Sequence, residues 1–330
     1  MLTVLFLHFK TNAQMDYQTD ILGGDFLQTT LHLPADYEGD VTATLVKKVS
    51  SKETQTAVLY IHGFNDYFFQ AAMAEQYNQH EINFYALDLR KYGRSLLPHQ
   101  KLNNARDLAE YYPEITESLK IMREEGNTDI ILMGHSTGGL LVSLYVADHQ
   151  HDNSIKAIVL NSPFFEININ KFVLKTVLPR FVKKAESKPN KPLNAGLTAG
   201  YGESLHADYH GEWSYDLKWK PNSPPKVNYG WIRAIRMGQL KLQAGVEIKQ
   251  PVLVMHSDKS VFSRKWNQSL HSGDSVLDVE DMKKYAPSIR GDVELAEIKN
   301  GMHDLILSEK SVRENAYALI FEWLKKKSIN

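Results

Sequence analysis

Apolar and polar positions along this chain change period several times, and the changes mark out its elements. FLQTTLHLP (26–34) and VTATLVKKV (41–49) alternate with period two around a polar turn, which predicts two antiparallel strands. TAVLYIHGF (56–64), INFYALDLR (82–90), DIILMGH (129–135), IKAIVLNSPF (155–164), PVLVMHS (251–257) and VELAEIKN (293–300) predict further strands, most of them apolar almost throughout. Helical patterns fall between them, over 67–80, an amphipathic 103–125, the stretch after Ser136, and 308–327. Strands apolar on both faces must be covered on both faces. Their alternation with helices therefore predicts an α/β class, a mostly parallel central sheet with helices on either side.

The rhythm fails over 165–245, which holds a helix-like NKFVLKTVLPRFVKK and then a Pro-, Gly- and aromatic-rich stretch through SPPKVNYGWIRAI. Lying between two sheet strands, it is expected to fold over the C-terminal edge as a cap or lid, where open α/β sheets bind ligands. Residues 15–164 and 246–330 then form the core. Lys183, Lys184, Lys188 and Lys191 read as a solvated face. Trp213, Trp219 and Trp231 either line an acyl pocket or pack inside the cap. Residues 1–14 read as a loose arm or upstream start, since Met15 opens a natural-looking N-terminus. MLTVLFLHF has no basic residue before it and is shorter than the roughly 20 residues that span a bilayer. The expectation is a cytoplasmic protein without stable membrane insertion, export through residues 1–14 being the alternative.

Composition narrows the chemistry. A formal net charge of −1 over 330 residues supplies no field for holding nucleic acid. With no cysteine there is no disulfide, thiolate nucleophile or Cys-based metal site. No His/Asp/Glu run has ligand-like spacing and no dinucleotide glycine fingerprint occurs, so neither metal nor organic cofactor is expected. Nothing in the sequence specifies an oligomeric state.

One motif stands out. Gly134-His135-Ser136-Thr137-Gly138 follows an apolar strand and opens a helix, the strand–turn–helix context that G-x-S-x-G requires. Such a turn lifts the serine above the sheet edge and leaves the Thr137 amide at a helix N-terminus, where it can stabilise an oxyanion. A serine hydroxyl needs a base, and the base an acid to orient it. His303, in KNGMHDLIL after the last strand, is the candidate base, ahead of His62, His135 and His256. For the acid, Asp258 directly follows PVLVMHS, whereas Asp274 opens DSVLDVEDMKKYA nearer to His303. Asp274 is favoured, Asp258 remains the alternative, and Asp278 reads as a helix cap. HGF (62–64) supplies a turn after a strand whose Phe64 amide would complete the oxyanion hole.

HGFNDY, DLRKYGRS (88–95), GHSTGG and the late His303 together resemble the α/β-hydrolase superfamily, in particular the monoacylglycerol lipase, lysophospholipase and serine aminopeptidase-like group. The resemblance covers roughly 50–325 and implies a sheet of about eight strands, a cap after the strand ending near Phe164, and acyl transfer through Ser136 with His303 as base. Lys91 departs from it, standing where a glycine is common. The expected activity is metal-free hydrolysis of a small-molecule carboxylic ester with a medium or long acyl chain, monoglyceride- or lysophospholipid-like. A proline-type aminopeptidase is the alternative and would need an acid, such as Glu166, Glu203 or Glu212, to hold the substrate ammonium. A non-catalytic small-ligand receptor is a third reading.

Overall fold

The computed structural model describes residues 15–193, 198–263 and 265–329; the expected arm at 1–14 lies outside them. The alternating pair becomes β2 (Leu27–Asp36) and β3 (Gly39–Lys48), preceded by a two-residue edge strand, β1 (Gln18–Thr19). Six more strands follow: β4 (Thr56–Ile61), β5 (Asn83–Asp88), β6 (Asp129–His135), β7 (Ile155–Asn161), β8 (Val252–Ser257) and β9 (Val293–Ile298). They form one nine-stranded sheet in the order β1-β2-β3-β5-β4-β6-β7-β8-β9. The pairings among β1, β2, β3 and β5 are antiparallel, and all those from β5 through β4 to β9 are parallel. This is an α/β-hydrolase sheet, and the ninth strand is the short β1.

Helices cover both faces as the continuous apolar strands demand. α1 (Ala71–Gln79), α2 (Tyr112–Glu124) and α3 (Thr137–Asp148) intervene between strands, and α8 (Lys310–Lys326) closes the chain. Two helices begin later than their periodicity predicts. Residues 67–70 stay non-helical, with Asp88 Oδ1 accepting from the Phe68 amide at 2.8 Å. Ahead of α2, Asp107 caps a short 3₁₀ turn, and Pro113 fits the first turn of α2 because it lacks an amide hydrogen there. One apolar layer packs around α2 and α3 (Leu119, Leu140, Leu144, with Leu59 and Ile158 of the sheet), the other around α1 and α8 (Tyr77, Ile320, with Val58 and Val159).

The DLRKYGRS motif binds the loop after β5 to its surroundings through buried charges. Asp88 accepts from Arg94, which also grips Asp20 with two hydrogen bonds of 2.6 and 2.8 Å, and Arg90 pairs with buried Glu114. Lys91 has φ +66°, the left-handed conformation that glycine adopts more readily. Its fully buried ammonium pairs with Asp36 at 2.6 Å and Glu38 at 3.0 Å, above the Tyr37 ring. The lysine thus ties this loop to the β2–β3 hairpin.

Between β7 and β8 the chain makes α4 (Leu178–Ala185), α5 (Gly200–Leu205) and α6 (Tyr229–Gln243). α6 joins the main core through Trp231, Ile232, Ile235 and Leu242, and Gly238 allows close approach to Leu108 and Leu144. α4 buries only Leu178 and Ala185, and Lys183, Lys184, Lys188 and Lys191 are exposed. α7 (Val279–Tyr285), capped by Asp278, lies between β8 and β9. Among the described residues no helix is long and apolar enough to cross a membrane.

Candidate active site

The turn between β6 and α3 is shaped by what cannot fit beside it. Ser136 has φ +53° and ψ −115°, a strained conformation for a residue with a side chain. A Cβ at Gly134 would stand 2.5 Å from Gly138 O, and one at Gly138 would stand 2.3 Å from Ile61 O. Both positions therefore have to be glycine if the turn is to lie against the end of β4. Gly63 belongs to the same packing, since a Cβ there would meet Ser136 Cβ at 3.0 Å. The HGF turn thus lies directly against the serine, and Thr137, first residue of α3, has an amide ahead of the intrahelical ladder.

Ser136 Oγ lies 2.9 Å from His303 Nε2, and His303 Nδ1 lies 2.9 Å from Asp274 Oδ2. All three residues are buried. Asp274 Oδ1 accepts from the amides of Val276 and Leu277, each at 2.8 Å, so the carboxylate is held at both oxygens. Its position explains the ambiguity between the two aspartates. After β8 the chain runs to Val261 and returns at Asp274, where Ser260 and Asp274 form a parallel bridge. Asp274 N donates to Lys259 O and Val261 N to Asp274 O, at 2.9 and 2.8 Å. The intervening excursion lengthens the sequence without moving Asp274 from the strand end. Asp258 turns elsewhere: its Oδ1 accepts from Asn300 N at 2.7 Å, linking the loops after β8 and β9.

A cavity of about 590 Å³ opens over the serine, lined on one side by Phe64, Ser136, Thr137 and His303 and on the other by Tyr201, Lys220, Asn222 and Trp231. Phe164, Val276 and Leu277 add apolar wall. Of the three tryptophans, Trp231 lines this cavity, Trp213 donates to Leu307 O, and Trp219 packs edge-on against Tyr67. Asp66 and Lys220 supply charge to the wall and pair with each other at 2.8 Å. Asp66 sits inside the HGFNDY motif, but nothing in the sequence marks Lys220, which arrives from the segment between β7 and β8.

Glu166, Glu203 and Glu212 do not line the cavity. Glu166 is paired with Arg236 at 2.6 Å, Glu212 with Arg313, and Glu203 lies in α5. The other two histidines near the turn are structural in their bonding. His62 Nε2 accepts from Leu89 N and its Nδ1 donates to Gly63 O, while His135 Nδ1 donates to Asn161 O. Burial pushes both imidazoles below their ordinary pKa.

Among the described residues Asp66, His135 and Asp304 form a buried group that could hold a metal ion, their ligand atoms lying within 4.8 Å of one another. One oxygen of each carboxylate has a protein partner, Lys220 for Asp66 Oδ1 and Asn161 Nδ2 for Asp304 Oδ1 at 2.7 Å, while Asp66 Oδ2 and Asp304 Oδ2 are buried without a hydrogen bond. The three come from separate parts of the chain, so no spacing motif signals them.

This chain belongs to the serine aminopeptidase, S33, family, whose model matches residues 52–311. It is a hydrolase of the α/β-hydrolase fold. Among solved structures it is similar to a soluble variant of monoglyceride lipase from Saccharomyces cerevisiae in complex with a substrate analog, at 16% identity and TM-score 0.66, covering 91% of this chain and 96% of that one. It is also similar to the Paleococcus ferrophilus monoacylglycerol lipase, at 18% identity and TM-score 0.62, over 86% and 98% of the two chains. A third is Est1E from Butyrivibrio proteoclasticus with ferulic acid bound, at 16% identity and TM-score 0.58, over 91% and 100%. A comparison with curated protein sequences gives no match.

Proposed function

We propose that this protein is a serine carboxylic-ester hydrolase acting on a small-molecule ester with a medium or long acyl chain, monoglyceride- or lysophospholipid-like. The observation that carries the reading is the unbroken chain of contacts from Ser136 Oγ through His303 to Asp274, set in the wall of a partly apolar cavity. Ser136 Oγ–H donates to His303 Nε2, and the Nδ1–H of His303 donates to Asp274. As Oγ attacks the acyl carbonyl, His303 takes its proton and Asp274 stabilises the imidazolium. The Phe64 and Thr137 amides receive the negative charge that develops on the carbonyl oxygen. His303 then protonates the departing alcohol, and water releases the acyl group by the same steps in reverse. Residues 165–245 act as the cap, with α6 as its anchor and Tyr201, Lys220 and Trp231 reaching the cavity.

The family also makes a peptidase reading natural, but an N-terminal ammonium needs a free carboxylate. The acid on the cavity wall, Asp66, is already neutralised by Lys220, and the three glutamates considered lie elsewhere. The ester reading is therefore the better supported. A p-nitrophenyl ester series from acetate to palmitate, run beside aminoacyl-naphthylamides, tests it. The expected result is a medium-to-long chain optimum, with Ser136→Ala and Asp274→Asn each losing about 10⁴-fold or more in kcat. Asp258→Asn should keep most of the activity. Faster naphthylamide than ester turnover would favour the peptidase, and failure of a fluorophosphonate to label the folded protein would favour the receptor.

A further inference from the structure

His303 stands on a loop, and a general base on a loop needs something to hold it over the nucleophile. The end of β7 supplies that hold. Asn161 O accepts from Ser136 N at 3.0 Å and from His135 Nδ1 at 3.2 Å, while Phe164 N donates to Ser136 O at 2.9 Å. The serine turn is thus fixed to the end of β7 through Asn161 and to the segment just after it through Phe164. The side chain of Asn161 then reaches the other partner. Its Nδ2 donates to Asp304 Oδ1 at 2.7 Å, and its Oδ1 accepts from Leu305 N at 3.2 Å. Asp304 and Leu305 directly follow His303, and Asn161, Asp304 and Leu305 are all essentially inaccessible to solvent.

We propose that Asn161 is a positioning residue for the proposed ester hydrolysis, locking the His303 loop to the Ser136 turn so that Nε2 stays within reach of Oγ. The inference rests on the serine-hydrolase reading above and adds to it a residue that touches neither substrate nor the reacting atoms. The chemistry explains the residue type. Only a side chain carrying a donor and an acceptor can give a hydrogen bond to the Asp304 carboxylate and take one from the Leu305 amide. An aspartate would set carboxylate against carboxylate, and a leucine would leave the buried Leu305 amide unpaired and take from Asp304 Oδ1 its shortest hydrogen bond. Asp304 Oδ1 also accepts from Ile306 N at 3.1 Å, so the carboxylate that Asn161 holds is the one that shapes the turn after His303.

Displacement of a general base by about 1 Å can cost about a hundredfold in rate with little change in binding. The test compares wild type, Asn161→Ala, Asn161→Asp and the reciprocal pair Asn161→Asp with Asp304→Asn. Each is assayed for p-nitrophenyl ester hydrolysis, fluorophosphonate labelling rate and thermal unfolding. Expected for Asn161→Ala is a fall in kcat of about tenfold to a hundredfold with KM changed by less than about threefold, and labelling slowed in proportion. Asn161→Asp should lose at least as much, and the reciprocal pair, which restores an amide-to-carboxylate bond, should recover about tenfold of it. If Asn161→Ala does not fold, the comparison of Asn161→Asp with the pair carries the test. The proposal is overturned by a folded Asn161→Ala with kcat within about threefold of wild type, or by a reciprocal pair no faster than Asn161→Asp. A wild type that hydrolyses no ester would sink the parent reading as well, whereas an active wild type with insensitive variants would sink this one alone.

Discussion

α3 and the helical run from Val173 to Ala185 that ends in α4 both carry several Leu and Val, yet they meet opposite surroundings. α3 is buried from Thr137 through Val146, enclosed by the sheet and α6, and it carries Ser136 at its N-terminus. α4 follows a single π-helical stretch at Val173–Val177, buries two residues, and leaves Phe172 just before it 70% exposed. Cα-to-carbonyl packing tolerates no change of volume, whereas a half-exposed helix has room on one side. The wall that holds the serine is closely packed, whereas the half-exposed helix between β7 and β8 does not reach the cavity and has room to vary.

Substitutions on the two sides should differ accordingly. The largest effect is expected at Gly138, where a methyl would collide with the carbonyls of Ile61 and His62 at 2.3 and 2.5 Å. Gly138→Ala should cost about 4 kcal/mol in urea unfolding or fail to accumulate as folded protein, and a cost below about 1 kcal/mol would show that the turn can relax. Next comes Lys91→Met, which leaves Asp36 and Glu38 facing each other with no cation between them. A loss of about 3 kcal/mol is expected by the same measurement.

Acidification should act more gently, and on the closely packed side. Burial holds His62 and His135 neutral below the ordinary imidazole value of 6.5. As pH falls, the unfolded chain takes up these protons first. The stability they contribute is complete above 6.5 and is lost as pH drops from there toward their depressed folded values, by roughly 1 kcal/mol per pH unit for each group. Unfolding midpoints measured from pH 8 downward should show this slope, and His62→Gln should flatten it. An unchanged slope in that variant would mean that other groups cause it. The smallest effect is expected at exposed Phe172, between β7 and β8, where Phe172→Ser should change stability by no more than about 0.5 kcal/mol. A larger loss would mean that this surface is covered.

How much could be read beforehand followed the range of the interactions. Strand patterning and the Gly134–Gly138 spacing are local, and the sheet strands and the serine turn were legible from them. Periodicity places the start of α2 too early because it does not record the Asp107 cap or the turn before Pro113. The sequence favours Asp274 but leaves Asp258 as an alternative, because distance along the chain does not show that residues 260 and 274 pair.

The sequence by itself therefore determined the α/β-hydrolase class, the order of the strands along the chain, and the turn that presents Ser136. The strands and the turn follow from side-chain period and glycine spacing, which neighbouring residues specify, and the hydrolase class follows from the resemblance of the HGFNDY, DLRKYGRS and GHSTGG motifs. The tertiary structure alone decided which aspartate meets His303, that Lys220 neutralises Asp66 on the cavity wall, and that Asn161 joins the serine turn to the histidine loop. In each of these the partners are brought together by sheet order and packing, and hydrogen bonds between distant segments leave no periodic trace in either segment.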